Sequence, residues 1–169
     1  MHERPEDLAA IQAVIDESYA HAGPHLQAVH EPERRLDAAA VAAELTGMRL
    51  LVLATTARDG RPVTGPVDGI FYRGRFHFGS SPESVRFRHI RGRPEVSATH
   101  LPGEHLAVTV HGTAEILDMT APEQAEFRQT LIDIYVPRYG QEWMQILDGG
   151  TFARIEPRRM FTFSMPEPA

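Results

Sequence analysis

The most informative part of the sequence is residues 76–96, which read Phe76-His77-Phe78-Gly79-Ser80-Ser81-Pro82-Glu83-Ser84-Val85-Arg86-Phe87-Arg88-His89-Ile90-Arg91-Gly92-Arg93-Pro94-Glu95-Val96. Aromatic and polar side chains alternate at its start and stop at Gly79, a pattern typical of a β-strand. Ser81 is then predicted to be the N-cap of a helix that has Pro82 as its first residue. Four arginines follow between Arg86 and Arg93, with no acidic residue among them.

This order of elements predicts an anion-binding site. The N-terminus of a helix carries unpaired N–H groups and a partial positive charge, and both favour a phosphate. Hydroxyls and guanidinium groups would complete the set of donors, from Ser80, Ser81, Ser84, Arg86 and Arg88. We therefore predict that this element holds the phosphate of a cofactor. The alternative is that the arginines form only a solvated helix face.

The composition excludes several kinds of chemistry. The chain has 169 residues and no cysteine, which excludes a thiolate nucleophile, cysteine-ligated zinc and an iron–sulfur cluster. All 17 basic residues are arginine, which excludes a lysine Schiff base and the usual covalent pyridoxal phosphate chemistry. His21, His25 and His30 are close in sequence, but no further ligand is placed near them, so we predict no metal site.

The charge pattern favours a small anionic ligand. The net charge is −6 at pH 7, so the arginine-rich helix is a local basic island on an acidic protein. Nucleic-acid-binding proteins usually have a wider basic surface, so we expect no nucleic-acid partner. The N-terminus lacks the pattern of a signal peptide, and no apolar run is long enough to span a membrane. We therefore expect a soluble, cytoplasmic protein with no membrane association.

The predicted helices and strands come in blocks. Two N-terminal helices, separated by a polar connector, are predicted at 5–21 and 36–45. Four strands joined by tight turns follow at 50–56, 62–68, 70–72 and 75–78. Pro62 and Pro66 indicate that the second of these strands lies at an edge or carries a bulge.

The second half of the chain adds strands around a helical insertion. Strands are predicted at 95–101, at 105–117, and at 151–157 with a continuation at 160–163. Gly112 indicates a bulge or the close approach of another backbone. Thr120 is predicted to begin a capping box for a helix that Val136-Pro137 ends. A short helix at 141–147 carries the single tryptophan, Trp143.

Together these elements predict a mainly β fold, an antiparallel barrel of six or seven strands with N-terminal helices and a C-terminal helical insertion. We expect one domain over residues 1–169, with a helical extension at 1–48 and the barrel at 49–164.

Several pieces of residues 44–164 resemble one known family in the same order and spacing. Leu50–Pro66 resembles that family's first hairpin, and Arg75–Val96 resembles its strand, serine loop and S-x-K/R-x-R-N/H-L/I helix. Val110–Glu115 resembles its x-G-x-A-E strand, and residues 154–157 resemble its closing strand. The family is that of the FMN-binding split barrels related to pyridoxamine 5′-phosphate oxidase, which also includes deazaflavin (coenzyme F420)-dependent reductases.

The resemblance implies roles for particular residues. The residues that match the phosphate-binding positions are Ser80, Ser81, Ser84, Arg86 and Arg88, and His89 stands where the family often has Asn. The residues that match the strand running along the tricyclic ring are Gly65, Pro66, Val67 and Asp68. Because family members are usually homodimers with the ring at the subunit interface, the resemblance also implies a second copy of this chain as a partner.

The sequence also departs from the family pattern. Arg86 stands where Lys is common, and an arginine holds a phosphate with two bonds where a lysine acts as a point charge. Arg158-Arg159-Met160 does not resemble the substrate motif of true pyridoxamine phosphate oxidases. We therefore do not expect oxidation of vitamin B6.

The expected chemistry is carried by the cofactor, while the protein supplies binding, orientation and electrostatics. No catalytic residue is assigned; the candidate proton donors are His77, His111, Tyr135 and Tyr139, and a structural role is favoured for each. Trp143 and His111 are candidates for the substrate pocket, although Trp143 suits a core or an interface equally well.

Two cofactors, FMN and coenzyme F420, fit the sequence almost equally. Both carry a phosphate, and F420 also has a longer anionic tail that Arg88, Arg91 and Arg93 could meet. We predict an oxidoreductase that transfers hydride to or from a small flat organic substrate. The alternatives are a binding module without catalytic activity and, less favoured, a haem-binding protein.

Overall fold

The computed structural model describes residues 2–166. Its six strands are β1 (Met48–Thr56), β2 (Pro62–Tyr72), β3 (Arg75–Ser80), β4 (Glu95–Gly103), β5 (Leu106–Leu117) and β6 (Thr151–Ser164). The α-helices described are α1 (Pro5–Ala20), α2 (Pro24–Val29), α3 (Ala38–Glu44), α4 (Val85–Gly92), α5 (Ala125–Tyr139) and α6 (Trp143–Gly149). The strands close into an antiparallel barrel in the order β1-β2-β3-β6-β5-β4. The predicted mainly β barrel with peripheral helices is confirmed.

Alternate residues of the strands fill the barrel. Leu51 and Leu53 of β1, Phe76 of β3, and Val108 and Val110 of β5 are almost completely buried and belong to one apolar cluster. A period of two along each strand places such residues on one face. Side chains from α1 and α3 join the same cluster, so the N-terminal helices close one side of the core.

A second apolar cluster lies on the outer side of β2. Phe71 belongs to the barrel core, whereas its neighbour Ile70 packs with Phe127, Leu131 and Trp143 of the helical insertion. Because neighbouring residues of a strand face opposite sides, this part of β2 is buried on both faces. The insertion formed by α5 and α6 therefore covers this part of the barrel wall.

The prediction of separate strands at 62–68 and 70–72 is wrong, because the structure has one strand, β2. Gly69 is paired on both sides, with β1 and with β3. A Cβ atom at Gly69 would overlap the Leu51 side chain, so glycine lets the strand pass close to its neighbour without ending. Residues 62–68 pair with β1, and pairing with β3 begins only at Gly69, so the two prolines lie on an edge as predicted.

The predicted start of the arginine-rich helix is also wrong. The N-cap of α4 is Ser84, whose hydroxyl accepts a hydrogen bond from the Phe87 N–H at 3.5 Å. The Ser84 N–H in turn donates to the Ser81 carbonyl at 2.9 Å. Residues 81–84 therefore form a turn, in which Pro82 suits the second position, and the helix begins one turn later.

The polar connector between the first two predicted helices contains more structure than expected. Its residues form α2 and a short 3₁₀ helix at Pro32–Arg34, and a proline opens each of them.

The N-terminal helical extension is joined to β6 by Tyr19 of α1. The Tyr19 hydroxyl donates to the Thr162 carbonyl at 2.6 Å and accepts from the Thr162 N–H at 3.0 Å.

The ends of α5 differ from the prediction. Thr120 forms no capping box; its hydroxyl donates to the Asp118 carboxylate at 2.6 Å, and a 3₁₀ helix at Pro122–Gln124 precedes α5. Pro137 does not end the helix, which continues to Tyr139 and stops at Gly140 with φ of 79°. Pro137 has no N–H to donate to the Asp133 carbonyl four residues earlier, so one bond of the last turn is missing although the helix continues.

Gly112 marks a real irregularity. The pairing of β5 with β6 shifts between His111 and Gly112, so that Arg158 has no direct partner across the ladder. A Cβ atom at Gly112 would overlap the Glu156 carbonyl group. The predicted bulge and the predicted close approach are therefore both confirmed.

Within residues 2–166, none of the helices has the length and apolar character needed to cross a bilayer.

Candidate functional site

The cavity with the most apolar lining, called the main cavity for that reason and not for its size, lies between the outer face of β2, β3 and β6 and the helical insertion. Its volume is about 380 Å³, and apolar and aromatic side chains form most of its surface. β2 contributes Asp68 and Ile70, which are two residues apart and therefore share a face. The turn after β3 contributes Ser80 and Ser81 to the rim. A cavity of this size and character is typical of a site for a small organic ligand.

Stacked aromatic rings form one wall of the cavity. The rings of Tyr135 and Trp143 are nearly parallel, with 5° between their planes and 4.5 Å between their centroids. Tyr139 lies next to Tyr135, with 18° between the rings and 6.1 Å between their centroids. The wall arises because α5 and α6 pack side by side and place large side chains at their contact. Tyr135 and Trp143 line the cavity, whereas Tyr139 is not among its lining residues.

Asp68 is the single carboxylate that faces the cavity among the described lining residues. Its carboxylate accepts a long hydrogen bond of 3.5 Å from the Tyr135 hydroxyl. Burial raises the pKa of Tyr135 well above its ordinary value, and the Asp68 charge raises it further. Tyr135 therefore stays protonated near neutral pH and acts as a donor to Asp68.

His77 lies on the inner side of the cavity, against Phe127, with 4.2 Å between ring centroids. Its Nδ1 donates to the Arg75 carbonyl at 3.0 Å. Burial lowers the pKa of His77 to about 3, and the nearby charges of Arg154 and Arg75 act in the same direction. His77 is therefore neutral at physiological pH and has no imidazolium proton to give up as an acid.

Only some of the residues of the predicted phosphate site lie close to one another. Arg86 donates to the Pro66 carbonyl at 3.0 Å, and its guanidinium group lies beside Gly65. The hydroxyl of Ser84 caps α4 and retains its own proton for donation. Arg88 is exposed on α4, and residues two apart on a helix do not face the same way, so Arg86 and Arg88 point in different directions.

The donor set fits an anionic group at one position, where Arg86 meets Gly65-Pro66. The guanidinium group has five N–H donors, and the Pro66 carbonyl occupies one of them. Burial lowers the pKa of Arg86 somewhat, but an arginine remains charged at physiological pH. The residues that could hold a phosphate are therefore Arg86, through its remaining N–H donors, and Ser84, through its hydroxyl.

The other predicted contacts to a cofactor have local partners. His89 Nδ1 and the Thr55 hydroxyl share a hydrogen bond of 2.9 Å, which joins α4 to β1. Arg91 donates to the Pro82 carbonyl at 3.1 Å, and Arg93 donates to the Arg58 carbonyl at 2.9 Å. Arg91 thereby braces the turn before α4, Arg93 braces the turn between β1 and β2, and both still carry their charge.

The remaining site residues fall into two places. Trp143 lines the main cavity, whereas His111 is outside it. His111 Nδ1 and the Ser97 hydroxyl are 2.7 Å apart on the outer side of β4 and β5. Val67 is buried in the barrel core, so it can offer only its backbone to a ligand.

Sequence reasoning missed much of the cavity lining. Phe127 and Leu131 of α5 and Phe152 of β6 were predicted only as parts of elements, and Gln145 and Ile146 of α6 were not singled out. The one sequence pattern that points to these residues is the apolar stripe of α5 at 127 and 131. It indicates a buried face but does not identify the element that packs against that face. No three histidine or acidic side chains come together as a metal site in residues 2–166.

Comparison with known proteins gives one family. The family model described as pyridoxamine 5′-phosphate oxidase matches residues 38–164. A comparison with curated proteins finds no match. A conserved hypothetical protein from Mycobacterium tuberculosis is similar in structure, with 20% identity over 82% of this chain and 94% of that chain and a TM-score of 0.68.

Two further similar structures bear names that mention a cofactor. One is described as a FAD-binding protein from Mesorhizobium loti, with 23% identity over 76% of this chain and 95% of that chain and a TM-score of 0.58. The other is described as an F420 reductase, with 18% identity over 70% of this chain and 94% of that chain and a TM-score of 0.52. At these identities the similarity shows the fold alone. Because the family model covers the whole barrel together with α3, the protein belongs to the pyridoxamine 5′-phosphate oxidase family.

Proposed function

We propose that this protein binds FMN or coenzyme F420 and transfers hydride to or from a small flat organic substrate. The observation that carries the proposal is that β2 joins two features, the Arg86 contact at Gly65-Pro66 and a cavity walled by stacked rings at Asp68. The first feature offers a cation for a phosphate, and the second offers volume and shape for a flat molecule.

The residues have distinct tasks in this proposal. Arg86 and Ser84 hold the phosphate, and Ser80 and Ser81 offer further hydroxyls at the rim of the cavity. The backbone of residues 65–68 runs along the ring, which supplies the hydride chemistry when it is bound. The insertion formed by α5 and α6 excludes water from the cavity and orients the substrate against the barrel wall.

A binding module without catalytic activity is the second candidate, and one observation favours it. Tyr135 holds its proton because its pKa is raised, and His77 is neutral because its pKa is lowered to about 3. Neither side chain is an effective acid near pH 7. A reaction that needs a proton from the protein would therefore be slow, whereas binding would be unaffected.

The test of the proposal is a titration of the purified protein with FMN and, separately, with F420. Replacement of Arg86 by Ala should weaken binding of the cofactor about 10- to 100-fold, because charge-assisted bonds to the phosphate are lost. Arg86→Lys should restore part of the affinity, because lysine keeps the charge but not the bidentate geometry. Arg34→Ala is the matched control, since Arg34 is exposed on the N-terminal extension.

Several results would contradict the proposal. One is the failure of both cofactors to bind at micromolar concentration, and another is equal binding by the Arg86→Ala and Arg34→Ala variants. A Soret shift on titration with haem, without binding of either cofactor, would favour a haem protein instead. Tight binding of FMN or F420 with no turnover of quinones or other flat acceptors would favour the binding module.

We also propose that the protein is a homodimer. Leu50 and Val52 on the outer face of β1 and Leu101 of β4 are 62%, 50% and 58% exposed. Pro66 pairs with Val52 across the ladder, so this apolar face is continuous with the strand that meets Arg86. A second copy of the same face would cover these side chains and bring the partner chain next to the proposed phosphate site.

A further inference from the structure

Two polar side chains that line the main cavity, Asp68 and His77, offer hydrogen-bond acceptors to it, whereas Ser80, Ser81 and Gln145 can both donate and accept. The Asp68 carboxylate faces the cavity and receives one long bond from Tyr135, which leaves most of its acceptor capacity free. His77 donates through Nδ1 to the Arg75 carbonyl, so its other ring nitrogen, Nε2, is left as an acceptor. A ligand with hydrogen-bond donors near Asp68 and His77 would satisfy the free acceptors of both side chains.

The described lining of the cavity also carries one negative charge and no positive one, while the charges of Arg75 and Arg154 reach His77 and that of Arg138 reaches Tyr135 from outside the lining. Asp68 is acidic, and none of the lining residues in the described part of the chain is an arginine. The whole chain contains no lysine, and His77 is neutral because its pKa is lowered to about 3. Arg86, which carries the positive charge of the proposed phosphate site, is not among the lining residues and is bound to the Pro66 carbonyl.

Aromatic side chains line the cavity beside the carboxylate. Tyr135 and Trp143 are both lining residues and stack on each other, with 4.5 Å between their centroids. A delocalised cation is attracted to the face of such a ring, and an anion is repelled. The cavity thus combines aromatic side chains with a carboxylate, and it is the carboxylate that prefers positive charge.

We infer that the cavity selects flat aromatic substrates that present a positive charge or N–H donors to Asp68, and that it disfavours anionic ones. This inference names the substrate class of the proposed function. It rests on that function only because it takes the ligand of the main cavity to be the substrate. The two parts of the site then differ in charge, because the cofactor phosphate binds next to the positive Arg86 and the substrate binds next to the negative Asp68. A cationic substrate would also be attracted to the negative phosphate of the cofactor.

A series of three isosteric compounds tests the inference. 2-Naphthamidine is cationic, 2-naphthamide is neutral with N–H donors, and 2-naphthoate is anionic, while all three share one flat ring system. Isothermal titration of the purified protein should give the tightest binding for the amidine and the weakest for the carboxylate. Quenching of Trp143, the single tryptophan of the chain, should accompany binding and thereby place the ligand in the cavity.

Asp68→Asn should weaken amidine binding about tenfold, because a hydrogen bond between two charged groups becomes one with a neutral partner. In the same variant, the affinities for 2-naphthamide and 2-naphthoate should differ less than in the unmodified protein. Asp133→Asn is the matched control, since it removes one charge from an exposed position of α5. Circular dichroism checks that each variant is folded, and the ranking in the unmodified protein depends on no variant.

The inference is overturned if 2-naphthoate binds as tightly as 2-naphthamidine, if no compound binds, or if Asp68→Asn and Asp133→Asn behave alike. The cofactor titrations distinguish its failure from that of the proposed function. Binding of FMN or F420 without a preference for the amidine removes only the inference. A preference for the amidine in a protein that binds neither cofactor supports the inference and removes the proposed function.

Discussion

Burial decides what a single side chain can do in this protein, and His77 is the clearest case. In sequence it is a candidate proton donor between Phe76 and Phe78. In the structure it faces the helical insertion, contacts Phe127 and donates to the Arg75 carbonyl. Its neutral form is favoured so strongly that its pKa falls to about 3. The residue therefore contributes shape and an acceptor to the cavity instead of an acid.

The buried neutral histidine predicts a dependence of stability on pH. The folded-state pKa lies below the ordinary value of 6.5, so the unfolded chain takes up a proton at His77 as the pH falls below 6.5. Folding stability should therefore decrease between pH 6.5 and about 3. The contribution of His77 should be about 2 kcal/mol of lost stability between pH 7.5 and pH 5.

Urea unfolding of the wild type and of His77→Gln at both pH values checks this prediction. Gln can still donate to the Arg75 carbonyl but does not titrate. The pH dependence of the free energy of unfolding should be smaller in the variant by about 2 kcal/mol. Parallel profiles for the two proteins would contradict the lowered pKa.

At the scale of elements, local backbone chemistry sets the start of α4. Two serines three residues apart, Ser81 and Ser84, are both good N-caps in sequence terms. The structure uses Ser84, because residues 81–84 close a turn that reverses the chain after β3. Arg91 bonds to the Pro82 carbonyl and fixes this turn from the other end of the helix. The turn also places Ser81 at the rim of the cavity.

The two serines predict unequal effects on stability. Ser84→Ala should destabilise the protein by about 1 kcal/mol, because the Phe87 N–H loses its side-chain partner at the helix start. Ser81→Ala should change stability by much less, because the bond that closes the turn uses the Ser81 backbone carbonyl. Chemical unfolding of both variants checks the difference. A larger loss for Ser81→Ala would place the cap where the sequence suggested it.

At the scale of the molecule, the barrel has two covered sides and one bare apolar face. α1 and α3 complete the core on one side, and α5 and α6 cover the outer side of β2 near Ile70. The outer face of β1 remains exposed at Leu50 and Val52. In the proposed homodimer this face meets a second copy, so cofactor affinity and association should vary together.

Leu50→Glu therefore should weaken self-association about tenfold or more, because a charge would be buried in an apolar contact. Val29→Glu is the control, because Val29 is similarly apolar and exposed but lies on α2. Sedimentation over a range of protein concentrations measures the monomer–dimer equilibrium. A wild type that stays monomeric at micromolar concentration, or equal association of the two variants, would contradict the homodimer.

The sequence alone predicted the elements that depend on local patterns. Alternation located the strands, and Gly112 marked the β5–β6 irregularity. These features depend on residues near each other along the chain, so a period or a single glycine reveals them. The family resemblance reached further because it compares the order and spacing of several such features at once.

What the sequence could not determine was which faces meet. Gly69 resembled a break because its pairing with both β1 and β3 is invisible along the chain. The cavity joins β2, β3 and β6 to a helical insertion that lies up to about half the chain away, and no local pattern connects Asp68 to Tyr135. The low pKa of His77 likewise arises from burial, which depends on the packing of distant residues. Local chemistry thus fixed the elements, and closure of the barrel beneath the insertion brought the candidate site together, because burial and facing contacts exist only once distant segments pack.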